Sequence, residues 1–514
     1  MENLSCSLYF LAQVLLLLLI PLLLLSLKYR ETRKNDHPRL PPGPWRLPVI
    51  GSLHHLVKTP LIHRALADLA RRHDAPVMYL RLGELDAVVV SSPGAAQEVM
   101  RTHDAAFATR PLSATVRATM ADGMGIAFSP YGERWRQLRK LSAVELLSAK
   151  RVRSFRPIRE DETRRLAADI AAAAAGGEPV NVSARVAALV SDSALRSMMG
   201  ERFRRREELL QCITQALKIG AGFNLGDLFP SSRIVGTIDG TARKAQAMQR
   251  KLFELVDSAI EQHRERRSGR SGIDDVGEEE EDLLGVLLRI QDEGGFDCSL
   301  SVGDIKAIIV DLFVGGSEAT SATIQWAMAE LMRNPNVMQK AQTEVRGALQ
   351  DKSRISEDDL VNLPYLKLII KETLRLHTPG PLLLPRECQE SCKILGYDVL
   401  KGTVVLVNAW AICRDPKYWD EPEVFKPERF KEGITDFVGT NFHYTPFGAG
   451  RRICPGLAFA LANAELVLAM LLFHFDWQLP PGVEPSELDM AEEMGVTVRQ
   501  KRDMYLYPTI HVPL

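Results

Sequence analysis

Phe447-Gly-Ala-Gly-Arg-Arg-Ile-Cys454-Pro-Gly456 holds the strongest chemical signal in the 514-residue chain. Gly448 and Gly450 allow the backbone to turn tightly and to come close to a flat group. Pro455 and Gly456 follow the cysteine directly, and the apolar run Leu457–Leu472 is predicted helical. The Cys454 sulfur is therefore expected at a helix N-terminus, where N–H donors and the helix dipole favour a thiolate. A bare Cys-Pro-Gly is most often structural. The full spacing F-x-x-G-x-R-x-C-x-G makes Cys454 a candidate metal ligand instead.

Working outward, Glu372 and Arg375 stand at i and i+3 on one helical face of the segment predicted over 362–377. Pro427-Glu428-Arg429-Phe430 lies about 25 residues before the cysteine. Trp135 and Arg139 stand at i and i+4 in a basic, amphipathic segment. A long helix predicted over 302–332 carries Gly315-Gly316-Ser317-Glu318-Ala319-Thr320-Ser321. A glycine pair inside a helix costs roughly 1–2 kcal/mol relative to alanine, which suits a groove better than a plain helix.

Together these motifs resemble, in order, those of the cytochromes P450, and the form PFGAGRRICPG is similar to that of the plant microsomal A-type group. The resemblance covers essentially the whole chain. It implies heme b (iron protoporphyrin IX) with Cys454 as the sulfur ligand, the thiolate push that favours O–O cleavage. It implies that Phe447, Gly450 and Gly456 frame the heme loop, and that Trp135, Arg139, Arg386 and Arg452 serve the propionates. By the same likeness Glu372, Arg375 and Arg429 clamp the segment presenting the cysteine. Gly316 leaves room for dioxygen, and Glu318 is the acid of the proton path. One position departs from the pattern: Ala319 stands where the family carries a threonine, and the hydroxyls shift to Thr320 and Ser321. One residue is about 100° of helical rotation, so Thr320 can replace the missing hydroxyl only in a distorted helix. The alternatives are a proton from water or a substrate hydroxyl, or an enzyme that does not activate dioxygen.

The chain's composition excludes little else. Hydrophobic residues make up 46% and charged residues 25%, and the formal net charge is −1, which gives no reason to expect a nucleic acid partner. Seven scattered cysteines, with no CxxC pair, fit a reducing compartment. Residues 8–27 are an almost unbroken apolar run, long enough to cross a hydrocarbon core of ~30 Å. Lys28, Arg30, Arg33 and Lys34 follow it, so the expected topology is a lumenal segment 1–7, an anchor 8–27 and a cytosolic body, at the endoplasmic reticulum membrane. Residues 28–51 read as a basic flank and proline-rich hinge, whose Trp45, Leu47, Val49 and Ile50 are expected to pack on the body. Residues 52–514 read as one catalytic domain, mainly α with small β sheets (α+β). Short strands are predicted at Val77–Leu82 and Ala87–Ser91 and near 393–408, and helical periodicity dominates from about residue 94.

The expected activity is monooxygenation of an apolar small molecule, such as a plant terpenoid, with dioxygen and electrons from NADPH-cytochrome reductase. The chain shows no G-x-G-x-x-G opening a βαβ unit, consistent with flavin and nicotinamide on another protein. Arg134, Arg136, Lys140 and Arg451 are candidates for a basic face toward that reductase. The rivals are a reductase-independent isomerase or dehydratase, supported by Ala319, and a non-catalytic membrane carrier of heme or lipid. Substrate contacts are expected from Leu112–Ile126, Phe223–Phe229, Gly380–Leu384 and Met494–Val498, mostly apolar stretches.

Overall fold

A computed structural model describes residues 38–57, 59–220, 224–269, 281–294, 299–350, 352–433 and 435–514. The expected anchor, most of its flank, Phe223 and most of the acidic run before Glu281 lie outside the described residues. Six helices position the site: α1 (Glu133–Leu141), α2 (Arg156–Gly176), α3 (Val182–Met199), α4 (Val302–Arg333), α5 (Pro364–Leu376) and α6 (Leu457–His474). Four strands form one sheet: β1 (Val77–Leu82), β2 (Leu85–Val90), β3 (Arg386–Glu387) and β6 (Val404–Val407), in the order β1-β2-β6-β3. A hairpin of β4 (Cys392–Ile394) and β5 (Tyr397–Val399) lies in the chain between β3 and β6.

The mainly helical body with small sheets agrees with the expectation. The long helices follow the apolar periodicity closely because each buries a continuous stripe. Helix α6 is apolar all round and enters the core on nearly every side, packing with α2, α3, α5 and the C-terminal half of α4. The N-terminal half of α4 belongs to a second core with Ile126, Leu138 and Phe459. Both α4 and α6 are apolar and long enough to cross a membrane, but here they are core helices, half or more buried. Ser301 caps α4 by a reciprocal capping box: its hydroxyl accepts the Asp304 N–H at 3.2 Å, and the Asp304 carboxylate takes the Ser301 N–H at 2.8 Å.

Two local expectations are corrected. The basic, amphipathic segment of Trp135 and Arg139 is α-helical only to Leu141, where Ser142 returns its hydroxyl to the Leu138 carbonyl at 2.7 Å and a wider turn over Ser142–Leu146 follows. The proline-rich segment docks through its backbone and through Leu40, Pro41 and Pro44 rather than through Trp45 and Val49. The Tyr79 N–H donates to the Pro42 carbonyl at 2.9 Å, and a Cβ on Gly43 would stand 2.1 Å from the Tyr79 oxygen. With the main chain pressed against β1, Trp45 and Val49 point to solvent, 63% and 72% exposed.

Candidate active site

The loop ahead of α6 is built around Cys454. Its N–H donates to the Phe447 carbonyl at 2.9 Å, closing the turn over the intervening residues. Gly450 sits at φ 72°, and a Cβ there would fall 2.1 Å from the Met100 oxygen and 2.7 Å from the Asp104 carboxylate. Glycine is therefore required both by conformation and by contact. The sulfur lies immediately before α6, as expected. Burial pushes its thiol up, while a bond from the Gly456 N–H and the nearby Arg139 pull it down. Burial prevails, so the chain alone keeps this sulfur protonated; a metal cation would displace that proton.

Behind the loop, Glu372 and Arg375 are fully buried and bonded twice, Arg375 Nε to Oε2 at 2.8 Å and Nη2 to Oε1 at 2.9 Å. Arg429 joins them, with Nε 3.0 Å from Glu372 Oε1. The remaining donors are spent on backbone: Arg375 on the Cys413 and Pro422 carbonyls, Arg429 on those of Asp420 and Val424. Arg429 is thus brought to a helical pair 54 to 57 residues earlier in the chain, and the irregular chain over 413–426 is held by this clamp.

A second convergence surrounds the front of the loop. Arg452 donates to the Ala108, Ile126 and Ser129 carbonyls, and its guanidinium carbon lies 4.1 Å from the Trp135 ring centroid. The Trp135 indole N–H also donates to the Ile126 carbonyl, at 3.2 Å. Arg386 reaches Asp104 at 3.3 Å and the Ala449 carbonyl at 3.1 Å. Arg110, which the sequence did not single out, donates to the Leu384 and Pro385 carbonyls at 2.7 and 2.8 Å. Burial and the neighbouring Arg386 and Arg139 push Arg452 down to about 9, and burial, Arg386 and Arg452 push Arg110 well down. Asp104 faces Arg386 and Arg452 and is also bonded to Arg451, through its N–H at 2.8 Å and its guanidinium at 3.2 Å. Three buried arginines, Arg110, Arg386 and Arg452, with Arg139 half-buried nearby, make a site that further negative charge would stabilise.

Helix α4 presents one open stripe. Leu312, Gly315, Gly316 and Ala319 recur at i, i+3, i+4 and i+7 and are all partly accessible, whereas Phe313, Ser317, Thr320 and Ile324 form the buried stripe beside them. A Cβ on Gly315 would meet nothing within 4 Å, and one on Gly316 would come 3.6 Å from the Phe459 ring of α6. The helix runs through this region without distortion. Of the alternatives for the missing hydroxyl, the one through Thr320 needs a distortion that α4 does not have here. Thr320 is 2% exposed, its hydroxyl has no hydrogen-bond partner, and the regular 100° step turns it off the open stripe. Ser317 and Ser321 return their hydroxyls to the Phe313 and Glu318 carbonyls. Burial pushes Glu318 up, against the pull of Arg499.

One acidic group was missed from the sequence. Asp311, a lone carboxyl in the apolar run of α4, accepts the Ala127 N–H at 2.9 Å and is also bonded by Ile126. Burial raises it to about 6 against those two bonds. The loop 125–129 is therefore held on one side by α4 and on the other by Trp135, Arg110 and Arg452, through the carbonyls of Ile126, Ala127 and Ser129. Of the expected substrate segments, Leu112–Ile126 touches α4 at Gly125 and meets Asp227 through the Thr115 N–H at 3.0 Å. Met494–Val498 meets Pro379 through the Val498 N–H at 2.9 Å, and Trp326 of α4 through the Val498 carbonyl at 3.3 Å. The proposed basic face is partly consumed: Arg134 pairs with Asp304, and Arg451 with Asp104 and the Tyr131 hydroxyl.

A half-buried cysteine just before α6, a glycine pair on α4 and a group of arginines together suit a flat, anionic, metal-bearing group. A family model described as Cytochrome P450 matches residues 41–507, and the chain belongs to that family, which implies a heme cofactor. Among its curated relatives, the premnaspirodiene oxygenase of Hyoscyamus muticus is 45% identical, covering 98% of this chain and 99% of the relative. The ent-cassadiene hydroxylase of Oryza sativa subsp. japonica is 47% identical over 92% of each chain. The desmethyl-deoxy-podophyllotoxin synthase of Sinopodophyllum hexandrum is 45% identical over 95% of each. The residues present fit a heme. The acidic groups of a heme would be met by Arg110, Arg139, Arg386 and Arg452, and the Cys454 sulfur would be the candidate donor to its iron.

Proposed function

We propose that this protein is a membrane-anchored monooxygenase in which Cys454 ligates the iron of heme b and Arg139, Arg386 and Arg452, with Trp135, hold its propionates. The observation that carries this reading is the arginine ring around the Cys454 loop, whose charge is unbalanced without an anionic cofactor. Bound heme supplies dioxygen binding, electron uptake and oxygen transfer to substrate. The chain's own residues do the rest. Glu372, Arg375 and Arg429 fix the segment that presents Cys454. Gly315 and Gly316 keep α4 thin where a small ligand must fit. Glu318, raised by burial, holds a proton beyond the ordinary carboxylate range and can release it toward the open stripe. Because Ala319 carries a methyl group there, the acceptor of that proton is water or a substrate hydroxyl rather than a side chain.

Segment 8–27 anchors the body to the endoplasmic reticulum membrane, with the body cytosolic and NADPH-cytochrome reductase as electron donor. Arg136 belongs to the proposed basic face. Apolar Leu112, Leu382 and Val498 suit an apolar substrate, and two of the relatives act by name on dienes. A terpenoid is the substrate class this favours. The deciding experiment expresses the full chain with reductase in microsomes and follows NADPH-dependent oxygenation over a terpenoid panel. Product formed equally without NADPH and reductase would instead support the isomerase or dehydratase reading, which Ala319 favours. The Cys454→Ser variant should lose the thiolate-type carbon monoxide spectrum.

A further inference from the structure

Outside the heme pocket, two cysteines converge where the chain leaves β3. Cys388, fully buried, follows Arg386 by two residues, and Cys392, half-buried, opens β4. Both face the same point on the facing strand. Cys392 is the register partner of Val399, and the Cys388 sulfur lies 3.7 Å from the Val399 carbonyl and 3.0 Å from that of Glu390. Cys392 packs on the core cluster that contains Cys388 and Val399. The backbone around them is pinned: Cys388 N–H to the Thr403 carbonyl at 2.9 Å, Gly402 N–H to the Cys388 carbonyl at 2.7 Å, and Lys401 N–H to the Ser391 hydroxyl at 3.0 Å. Both cysteines are thus placed beside Val399 by a hairpin that forms without their sulfurs.

We propose that Cys392 and Cys388 form a peroxide-oxidisable dithiol, in which Cys392 is attacked by oxidant first and Cys388 resolves it. The Cys392 thiolate attacks hydrogen peroxide, the O–O bond breaks, and water leaves with formation of a Cys392 sulfenic acid. The Cys388 sulfur then attacks the Cys392 sulfur, the S–O bond breaks, and a second water leaves with the disulfide formed. Two thiols lose two electrons and two protons, and one peroxide is reduced to two waters. Exposure assigns the order, since oxidant reaches Cys392 and not Cys388. The neighbouring Cys388 thiol pulls Cys392 down, while the neighbouring Cys392 and burial push Cys388 up. Reversible disulfides of this kind are the sort that persist in reducing compartments as sensors.

The pair sits at the back of the arginine ring. Glu387 N–H donates to the Thr109 carbonyl at 3.1 Å, and Gln389 N–H to that of Ala106 at 2.9 Å, so the segment that oxidation would alter is bonded to the stretch holding Asp104 and Arg110.

The test uses the purified heme-loaded chain, reduced, then exposed to graded hydrogen peroxide without reductase, alkylated and mapped by mass spectrometry. The expected result is one peptide carrying an internal Cys388–Cys392 link, lighter by two hydrogens and reversed by dithiothreitol. It should appear at least about tenfold faster than oxidation of the buried Cys413. In Cys388→Ser, reaction should stop at a dimedone-trappable sulfenic acid on Cys392. In Cys392→Ser, Cys388 should stay reduced. Separate sulfinic acids without a link in the unaltered chain, or linking no faster than Cys413 oxidation, would overturn the proposal. Because the unaltered chain carries the primary measurement, misfolding of a variant leaves it intact.

Discussion

The guanidinium of Arg452 lies over the indole of Trp135, 4.1 Å from the ring centroid, and both donate to the carbonyl of Ile126. This contact joins the cysteine loop to α1, and one helical turn beyond Trp135 stands Arg139. Burial lowers Arg139, and among the described residues no ion-pair partner offsets it. Arg139→Gln should therefore leave the heme-free chain as stable as before or slightly more so, since one of four like charges is removed. Heme transfer to apomyoglobin should quicken about tenfold, on the order of 1.5 kcal/mol for one lost charge-assisted bond. Unchanged transfer would remove Arg139 from the propionate site.

Glu372 is the single anion between two buried guanidinium groups. Removing one partner of such a group leaves an uncompensated charge, at a cost of about 3–5 kcal/mol. Glu372→Ala should then fail to accumulate as heme-loaded protein, and any that folds should melt well below the unaltered chain. Heme loading and melting equal to the original would show that the backbone contacts alone hold the segment.

The clamp was legible in the sequence because each of its three residues lies in a recognisable local string. The long helices were legible for a related reason, since an apolar stripe is a local property. The open stripe of α4 could be placed from its glycine pair, and the displacement of Thr320 followed from helical rotation alone. Arg110 was not legible, because the carbonyls it serves lie 274 and 275 residues away and nothing around it marks that pairing. The strands Phe475–Gln478 and Tyr505–Ile510 were missed likewise: they are short, and they pair with each other and with Val180–Asn181 across long separations. The helix Ile62–Arg72 did carry a signal, in Ile62, Leu66 and Leu69 at helical spacing. Asp311 also had one, a lone acid between Val310 and Leu312, whose meaning depends on two backbone N–H groups from a distant loop.

Asp311 gives a pH test. Its carboxyl is raised from 3.8 to about 6 in the folded chain, so the fold favours the protonated form. Its contribution is fully present below about pH 4 and is lost as pH rises to about 6, after which it is constant. The stability of the unaltered chain relative to Asp311→Asn should fall across that window by about 3 kcal/mol at most, at 1.36 kcal/mol per unit. Paired thermal melts from pH 4 to pH 8 measure the difference, and parallel profiles would rule out a buried, raised carboxyl here.

Thr320 and Ala319 give the last test. The Thr320 hydroxyl is buried without a partner, so Thr320→Val removes an unsatisfied group and keeps the shape. That change should be neutral or stabilising by up to about 1 kcal/mol, and it should leave the division of NADPH electrons between product and peroxide unaltered. Ala319→Thr places a hydroxyl on the open stripe, where the proton from Glu318 must pass, and should shift that division toward product if water is the present carrier. If a substrate hydroxyl is the carrier, the added threonine competes with it and product falls. In either case position 319 responds and position 320 does not. The reverse pattern, with coupling sensitive at Thr320 and silent at Ala319, would mean that α4 distorts in the working enzyme and that the regular helix is not its active form.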